Sequence, residues 1–191
     1  LNIEYSITDG EFQTKKYPFI LSNVNCSGII NNGENKNFTT TKVSFIDFKA
    51  NTKKGEIDGV FYLSNLKKYF LEAEFNSTWA MDEANYYFSE SPFYECSGQI
   101  IANTKYYGRI SFDETFNKHF LNAKHYSNIN LKNLNFLYKN YPNQININNA
   151  NGEIINDSIN IKNSLINIKD SDFSYDGDIK NLFSYILSDD K

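Results

Sequence analysis

The chain has 191 residues and a net charge of −4, which is enough length for one ordinary domain with its own core. Its lysines are scattered, so it lacks the basic stripe that phosphate binding needs, and nucleic acid is not an expected partner. It has no apolar run of about 18 residues and no basic start followed by a short apolar segment, so it predicts neither a membrane span nor a signal peptide.

The first residue of the chain and its two cysteines indicate what kind of protein the chain comes from. A start at Leu1 rather than Met indicates a piece of a longer protein, whose targeting and anchoring segments would lie outside this sequence. Cys26 and Cys96 could form one disulfide, but two cysteines far apart in sequence are also typical of small buried side chains. The sequence leaves both interpretations open.

The first half of the chain predicts a series of short strands. Apolar and polar residues alternate there with the period of a strand that has one buried and one wet face. Turn signals at Asp9-Gly10, at 31–33 and at 52–55 separate the runs. A short helical turn is predicted between Ser64, its cap, and Phe70. The predicted strands cover residues 3–7, 12–22, 24–30, 38–48, 57–63 and 71–79.

The middle of the chain is less regular. Residues 81–89 fit either a helical turn, through Asp82 and Glu83, or a strand through the aromatic residues that follow. Pro92 restarts an extended pattern, which alternates again before the C-terminal part begins. The strands predicted here cover residues 92–102, 106–112, 116–127 and 129–138.

The clearest pattern is a ladder of short strands from Tyr141 to Ile186. Its apolar residues mostly stand two apart with Asn, Lys, Ser or Asp between them, which predicts one apolar and one wet face. Gly152 and Gly177 are predicted to end turns. The candidate residues for the apolar face are Ile145, Ile147, Ile159, Ile161, Ile166, Ile168 and Phe173.

Short phrases repeat along the chain. The segments 17–57 and 141–179 share a Tyr-Pro, an Asn and a Gly at an offset of 124 (141 − 17), and Ala50–Ile57 resembles Ala102–Ile110. Similar composition of Asn-rich and Ile-rich strands is the alternative explanation. No Pro-rich or Gly-rich linker divides the chain, so residues 1–191 are predicted to form a single β-rich module, a fragment of a longer repeat protein.

Catalytic and metal-binding motifs are missing from the sequence. The acidic pairs Asp82-Glu83 and Asp113-Glu114 favour solvated turns over a hydrolase, because neighbouring residues on a strand point to opposite faces. His119 and His125 have no Cys or acidic partner at ligand spacing. We therefore expect neither enzymatic activity nor a metal or other cofactor.

Aromatic residues around Trp79 indicate an alternative function. Trp79, Tyr86 and Phe88 could form a patch that binds sugar rings or a partner protein on the surface of a β-sandwich. Packing in a core is the other interpretation, because aromatic residues at alternating strand positions normally pack on a neighbouring layer.

Residues 128–187 resemble a known family. The resemblance lies in NLKNLNF at 130–136, NGEI at 151–154, SDF at 171–173 and NLF at 181–183. This segment, about a third of the chain, is similar to the C-terminal part of AsmA-like proteins, the TamB-related envelope proteins, especially those of the Bacteroidota type. The shared phrases are structural and include no catalytic signature.

The resemblance implies a fold and a function. The fold would be all-β, an elongated, curved antiparallel sheet of short repeated strands with one or two short helical turns. Its concave apolar face would be a groove for lipid acyl chains that bridges the inner and outer membranes in the periplasm of a Gram-negative bacterium. The parent protein would be anchored to the inner membrane by segments outside this chain, with other envelope proteins as partners.

The residues themselves support part of this expectation. Alternation through many strands produces an apolar face that must be covered, and few amphipathic helical segments are available to cover it. A second sheet, as in a β-sandwich, or lipid could do so. The sequence does not decide between a closed core and an open groove.

Overall fold

A computed structural model describes residues 1–13, 20–86, 93–111 and 115–187, with backbone only for Tyr86, Phe116, Tyr185 and Ile186. The described residues form ten strands and three short helices. The strands are β1 Asn2–Gln13, β2 Ile20–Asn31, β3 Lys42–Asn51, β4 Glu56–Ser64, β5 Phe70–Ala80, β6 Phe93–Arg109, β7 Lys124–Tyr138, β8 Ile145–Ile155, β9 Ser158–Ile168 and β10 Ser171–Lys180. The helices are α1 Met81–Tyr86, α2 Phe116–Asn122 and α3 Leu182–Leu187.

All ten strands belong to one open antiparallel sheet, ordered along the chain from β1 to β10. Each strand therefore pairs only with its neighbours in sequence, and β1 and β10 form the two edges. The predicted all-β, elongated and curved antiparallel sheet is confirmed. The alternative of a β-sandwich is wrong for the described residues, which contribute no second sheet.

The two faces of this sheet differ in polarity. Residues paired across neighbouring strands point to the same side, and successive residues alternate sides, so the strand registers assign residues to faces. The polar face carries mainly Asn, Ser, Lys, Asp and Glu. The apolar face carries most of the larger apolar side chains, although some, such as Ile101 and Leu165, lie on the polar face. The apolar face includes Ile3, Ile7, Leu21, Val24, Val43, Phe45, Phe48, Ile57, Phe61, Leu71, Phe75, Trp79, Ile100, Tyr106, Ile129, Leu131, Leu134, Phe136, Ile145, Ile147, Ile154, Ile159, Ile161, Ile166, Ile168, Phe173 and Ile179.

Bulges bend most of the strands. Register shifts coincide with residues of positive φ, as at Asp47 (φ 51°) in β3 and Asn163 (φ 53°) in β9. Asn and Asp tolerate this left-handed conformation better than other non-glycine residues, and a bulge increases local bending and twist. In β6, Gly98 (φ 101°) occupies such a site, where a Cβ would lie 2.3 Å from the Asn133 carbonyl oxygen. The curvature of the sheet follows from these positions.

The three helices lie at the ends of the strands. Helix α1 follows β5 directly and packs on β5 and β6. Helices α2 and α3 contact each other at the opposite ends of the strands, near β6 and β9. They therefore border the apolar face without forming a second layer over it.

Two segments between strands differ from their predicted structure. Residues 116–122, predicted as part of a strand, form helix α2. Residues 64–70 form a tight turn rather than a helical one, because the Lys68 amide donates to the Asn65 carbonyl while the Leu66 amide donates to the Phe38 carbonyl of the adjacent loop. The ambiguous stretch after residue 80 begins as α1.

Several glycines predicted to lie at turns lie inside strands. Asp9-Gly10 is part of β1, where Asp9 (φ 51°) forms a bulge, and Gly152 and Gly177 lie within β8 and β10. The hairpin turns use other residues, such as Asn156 (φ 51°) between β8 and β9. The same left-handed geometry serves a tight turn and a bulge, so Asx-Gly pairs do not distinguish them.

The repeated phrases correspond to the fold unevenly. Asn25 and Gly28 in β2 match Asn149 and Gly152 in β8 at the offset of 124, and each glycine is buried on the apolar face. The Tyr17-Pro18 part of this repeat lies outside the described residues. The second repeat is not structural, because Ala50 ends a strand before a turn whereas Ala102 lies inside β6.

Candidate functional site

A continuous row of uncharged residues crosses the apolar face. Successive members are direct partners across the strands from β3 to β10, so the row runs perpendicular to the strands. Its isoleucines are separated from one another by one or two small residues, which produces a surface of ridges and hollows. The row consists of Ala50, Ile57, Ser77, Ala102, Ile129, Gly152, Ile161 and Gly177.

Small residues on this face are deeply buried although no second sheet covers them. Ala50 and Ala150 are 3% exposed and Ala73 is 5% exposed. Larger side chains on the same face surround them, as expected on the inside of a curved sheet, while the larger side chains themselves remain only partly buried. The apolar face is thus an open trough with a tightly packed floor.

The trough begins with an aromatic section over β3 to β5. The rings of Phe48 and Phe61 meet edge to face with centroids 5.0 Å apart, and Phe61 stacks on Phe75 at 5.5 Å. Such ring geometries stabilise a cluster beyond the area that they bury. These rings and Trp79 pack against the buried residues Leu21, Val24, Ala50 and Ile57.

The trough continues as an aliphatic section over β8 to β10, which contains all the candidate residues predicted from the sequence. Ile145 pairs with Ile168, and Ile147 pairs with Ile166, which in turn pairs with Phe173. The six isoleucines are partly buried and Phe173 is 51% exposed. The structure therefore places these side chains together on one face; their contact with lipid stays a prediction.

The sequence-based list of site residues stopped short of the full face. Ile57, Phe61 and Phe75 lie on the same side as the C-terminal isoleucines through an unbroken series of paired strands. The signal was present as the alternation of residues 71–79, which has the same period as the C-terminal ladder. The candidate site is thus the whole apolar face.

The alternative aromatic patch is only partly described. Trp79 is half-buried and packs against the aromatic section of the trough. The side chain of Tyr86 and the whole of Phe88 lie outside the described residues. The sugar-binding or protein-binding patch therefore stays a prediction.

Hydrogen-bonded amides cover the polar face. The Asn103 side-chain amide donates to Asn76 Oδ1 at 2.8 Å, and the Asn130 amide donates to Asn151 Oδ1 at 2.6 Å. A depression of about 350 Å³ lies among such residues, lined in part by Asn128 and Lys162. Most of its lining residues belong to the polar face, and Ile129 and Gly152 of the uncharged row border it as well. We take the trough as the candidate site because its apolar character continues across the strands of the sheet.

A buried carboxylate fastens α1 to the sheet. Glu83 is 5% exposed and accepts hydrogen bonds from Thr52 Oγ1 at 2.9 Å and from the amides of Lys53 and Lys54 at 2.8 Å. The neighbouring Asp82 is ion-paired with Lys54, and this hydrogen bond lowers the pKa of Asp82. The Asp82-Glu83 pair therefore holds the turn at residues 52–54 in place.

His125 lies on the apolar face at one end of the trough, where β6 ends and β7 begins. It is 8% exposed, stacks on Phe120 of α2 at 4.6 Å and meets Phe183 of α3 at 5.8 Å. Neither ring nitrogen makes a hydrogen bond of ordinary geometry within the described part of the chain. Burial lowers the pKa of His125, against the opposing effects of the Asn156 backbone and the nearby Asp157 carboxylate. The neutral imidazole acts here as an aromatic packing residue.

The cysteines and the candidate metal ligands are placed as follows in the structure. Cys26 and Cys96 are both free, so the disulfide is absent. Within residues 1–13, 20–86, 93–111 and 115–187, no three His, Cys, Asp or Glu side chains are grouped to hold a metal ion. Asp113-Glu114 lies outside these ranges.

Comparisons with known proteins return nothing. No family model, no curated protein and no solved structure matches the chain. Among the described helices, none combines the length and the hydropathy needed to cross a lipid bilayer.

Proposed function

We propose that this chain is a non-enzymatic segment of a periplasmic envelope protein whose apolar face carries lipid acyl chains between the inner and outer membranes. The uncharged row from Ala50 to Gly177 carries the proposal, because it extends the same apolar surface across eight strands. The resemblance of residues 128–187 to AsmA-like proteins supports the cellular setting. Anchoring to the inner membrane would use segments outside this chain.

The shape of the trough suits an acyl chain better than a folded partner protein. An apolar face that continues over the ten strands of one sheet is typical of an interaction site, unlike the scattered apolar residues of an ordinary protein surface. No charged side chain occurs in the uncharged row, and small residues such as Gly152 and Ala150 leave hollows between isoleucines. Hydrocarbon chains gain about 25 cal/mol per Å² of apolar surface removed from water and need no hydrogen-bonding partners.

The proposal is tested by a single charge placed in the trough. Ile161 projects between two glycines, since its direct partners are Gly152 and Gly177. We expect Ile161→Asp to weaken binding of a fluorescent fatty-acyl probe by about tenfold or more, because the carboxylate would have to lose water beside the chain. Probe titration and native mass spectrometry of lipid co-purified from the periplasm measure the effect.

A matched control lies four residues along the same strand. Leu165 is 54% exposed on the polar face, opposite Asn149 and Ser174, so Leu165→Asp introduces the same charge outside the trough. It should leave probe binding unchanged. Wild-type protein that takes up no acyl probe, or equal losses in the two variants, would contradict the proposal.

A further inference from the structure

Two neighbouring loops form a basic, aromatic rim at one end of the strands. The basic rim consists of residues 32–42, between β2 and β3, and residues 64–70, between β4 and β5. The loops are joined, because the Leu66 amide donates to the Phe38 carbonyl at 2.7 Å and Lys42 pairs with Ser64. They lie just beyond Val43 and Leu63, which form the last apolar pair of the trough at this end.

The charge of the basic rim is opposite to that of the whole chain. Its only charged residues are Glu34 and four lysines, so its net charge is 4 − 1 = +3 in a protein of net charge −4. All four lysines are exposed, and no ion pair holds any of them within the described part of the molecule. The lysines are Lys36, Lys42, Lys67 and Lys68.

An aromatic side chain projects from the centre of these charges. Phe38 is 65% exposed, more than any other described aromatic residue, and Tyr69 beside it is 37% exposed. The loop that presents Phe38 is well fixed: Asn37 Oδ1 accepts bonds from the Thr39 and Thr40 amides at 3.0 and 3.1 Å. An apolar ring held outward on an ordered loop gains about 25 cal/mol per Å² of apolar surface that an apolar environment removes from water.

We propose that the basic rim docks on the surface of an anionic lipid bilayer. Phe38 enters the boundary between headgroups and acyl chains, and the lysines face the anionic headgroups. This pairing of an inserted aromatic residue with surrounding cations is the general pattern of interfacial membrane binding. The combination of four exposed lysines with an exposed phenylalanine favours a bilayer, which offers both anionic headgroups and an apolar interior, over a folded acidic partner. The docking surface is independent of the acyl-binding trough.

Vesicle sedimentation tests the rim. We use the full chain with vesicles of phosphatidylcholine alone, or of phosphatidylcholine with about 30% phosphatidylglycerol. The wild-type protein should bind the anionic vesicles, with affinity falling as salt is added. Lys67→Gln/Lys68→Gln should weaken this binding by about 25-fold, since each lysine near an anionic surface contributes about fivefold. Phe38→Ser should weaken it by about tenfold.

Two controls separate the rim from general effects of charge and from the trough. Lys53→Gln/Lys139→Gln removes two exposed lysines at the opposite ends of the strands and should leave vesicle binding unchanged. Ile161→Asp should likewise still bind anionic vesicles, and the rim variants should still bind the acyl probe. Equal binding to neutral and anionic vesicles, no binding at all, or the same loss in the lysine control would overturn the rim proposal and leave the trough proposal standing.

Discussion

The same apolar face is built in two different ways along the sheet. Over β2 to β5 it is an aromatic cluster in which Ile57 is 9% exposed and packs among phenylalanine rings. Over β8 to β10 it is a lattice of isoleucines that pair with one another and with Leu134, Phe136 and Phe173, and the residues of β10 are mostly exposed. The difference indicates that the side chains over β2 to β5 bury one another, whereas those over β8 to β10 leave apolar surface exposed.

This contrast assigns different tasks to the two sections. Apolar side chains that bury one another stabilise the fold, whereas apolar side chains that remain partly exposed can be buried by a bound ligand, which makes binding favourable. The anchoring of the helices follows the same division: Glu83 fastens α1 from a buried position, but Asp157 fastens α3 from the surface. Stability should therefore be concentrated in the N-terminal section and acyl binding in the C-terminal one.

The largest expected difference comes from truncating one isoleucine in each section. Ile57→Ala should lower the free energy of unfolding by about 3 kcal/mol, because it opens a cavity in the aromatic cluster. Ile166→Ala, at a half-buried site paired with Ile147, should cost about 1 kcal/mol. Urea titration measures both. Equal costs would show that the two sections are packed alike.

A second comparison concerns the helix anchors. Glu83→Gln should cost about 2 kcal/mol, because the new amide group must face at least one of the three donors that now bond the carboxylate. Asp157→Asn keeps an oxygen that can accept from the Ser184 amide and replaces only the oxygen that accepts from Ser184 Oγ, in a solvated setting, so it should cost less than about 1 kcal/mol. Thermal unfolding of the two variants shows which of them loses more stability. A larger loss for Asp157→Asn would contradict the conclusion that stability is concentrated in the N-terminal section.

The smallest expected effect depends on pH. Because burial holds the pKa of His125 below its ordinary value near 6.5, the fold favours the neutral ring. Its contribution is complete above that ordinary value and is lost as the pH falls through the lowered pKa of the folded state. His125→Phe should therefore lose less stability than the wild-type protein between about pH 7.5 and about pH 5.5, measured by urea unfolding. His119→Gln, which keeps His125, is the control for removal of a histidine.

Strand periodicity allowed the all-β class and the C-terminal apolar residues to be predicted, because alternation is a local property of the chain. The extent of the apolar face was harder to predict, because a bulge adds one residue to a strand and so changes which of the following residues point to that face. Phe45 and Phe48 stand three apart yet share a face, since Asp47 forms the bulge between them. Leu131 and Leu134 do the same around Asn133. Counting residues cannot reveal which Asn or Asp will adopt a positive φ.

The error at α2 has a different physical cause. Residues 116–122 contain no β-branched residue, and Phe116 and Phe120 stand four apart, a spacing typical of one helix face. The alternation of Leu121, Ala123 and His125 favoured a strand instead, but only the last of these begins to pair, because β7 starts at Lys124. The contact of Phe120 with Phe183, 63 residues away (183 − 120), is a tertiary effect that local patterns do not contain.

The simple strand order has a consequence for the size of the protein. Because each strand pairs only with its neighbours in the chain, a hairpin can be inserted or removed without rethreading any other strand. Each such event would lengthen or shorten the sheet by about 10 Å, the width of two strands, and leave its cross-section unchanged. Gene duplication could thus adjust the distance that such a protein spans in small, regular increments.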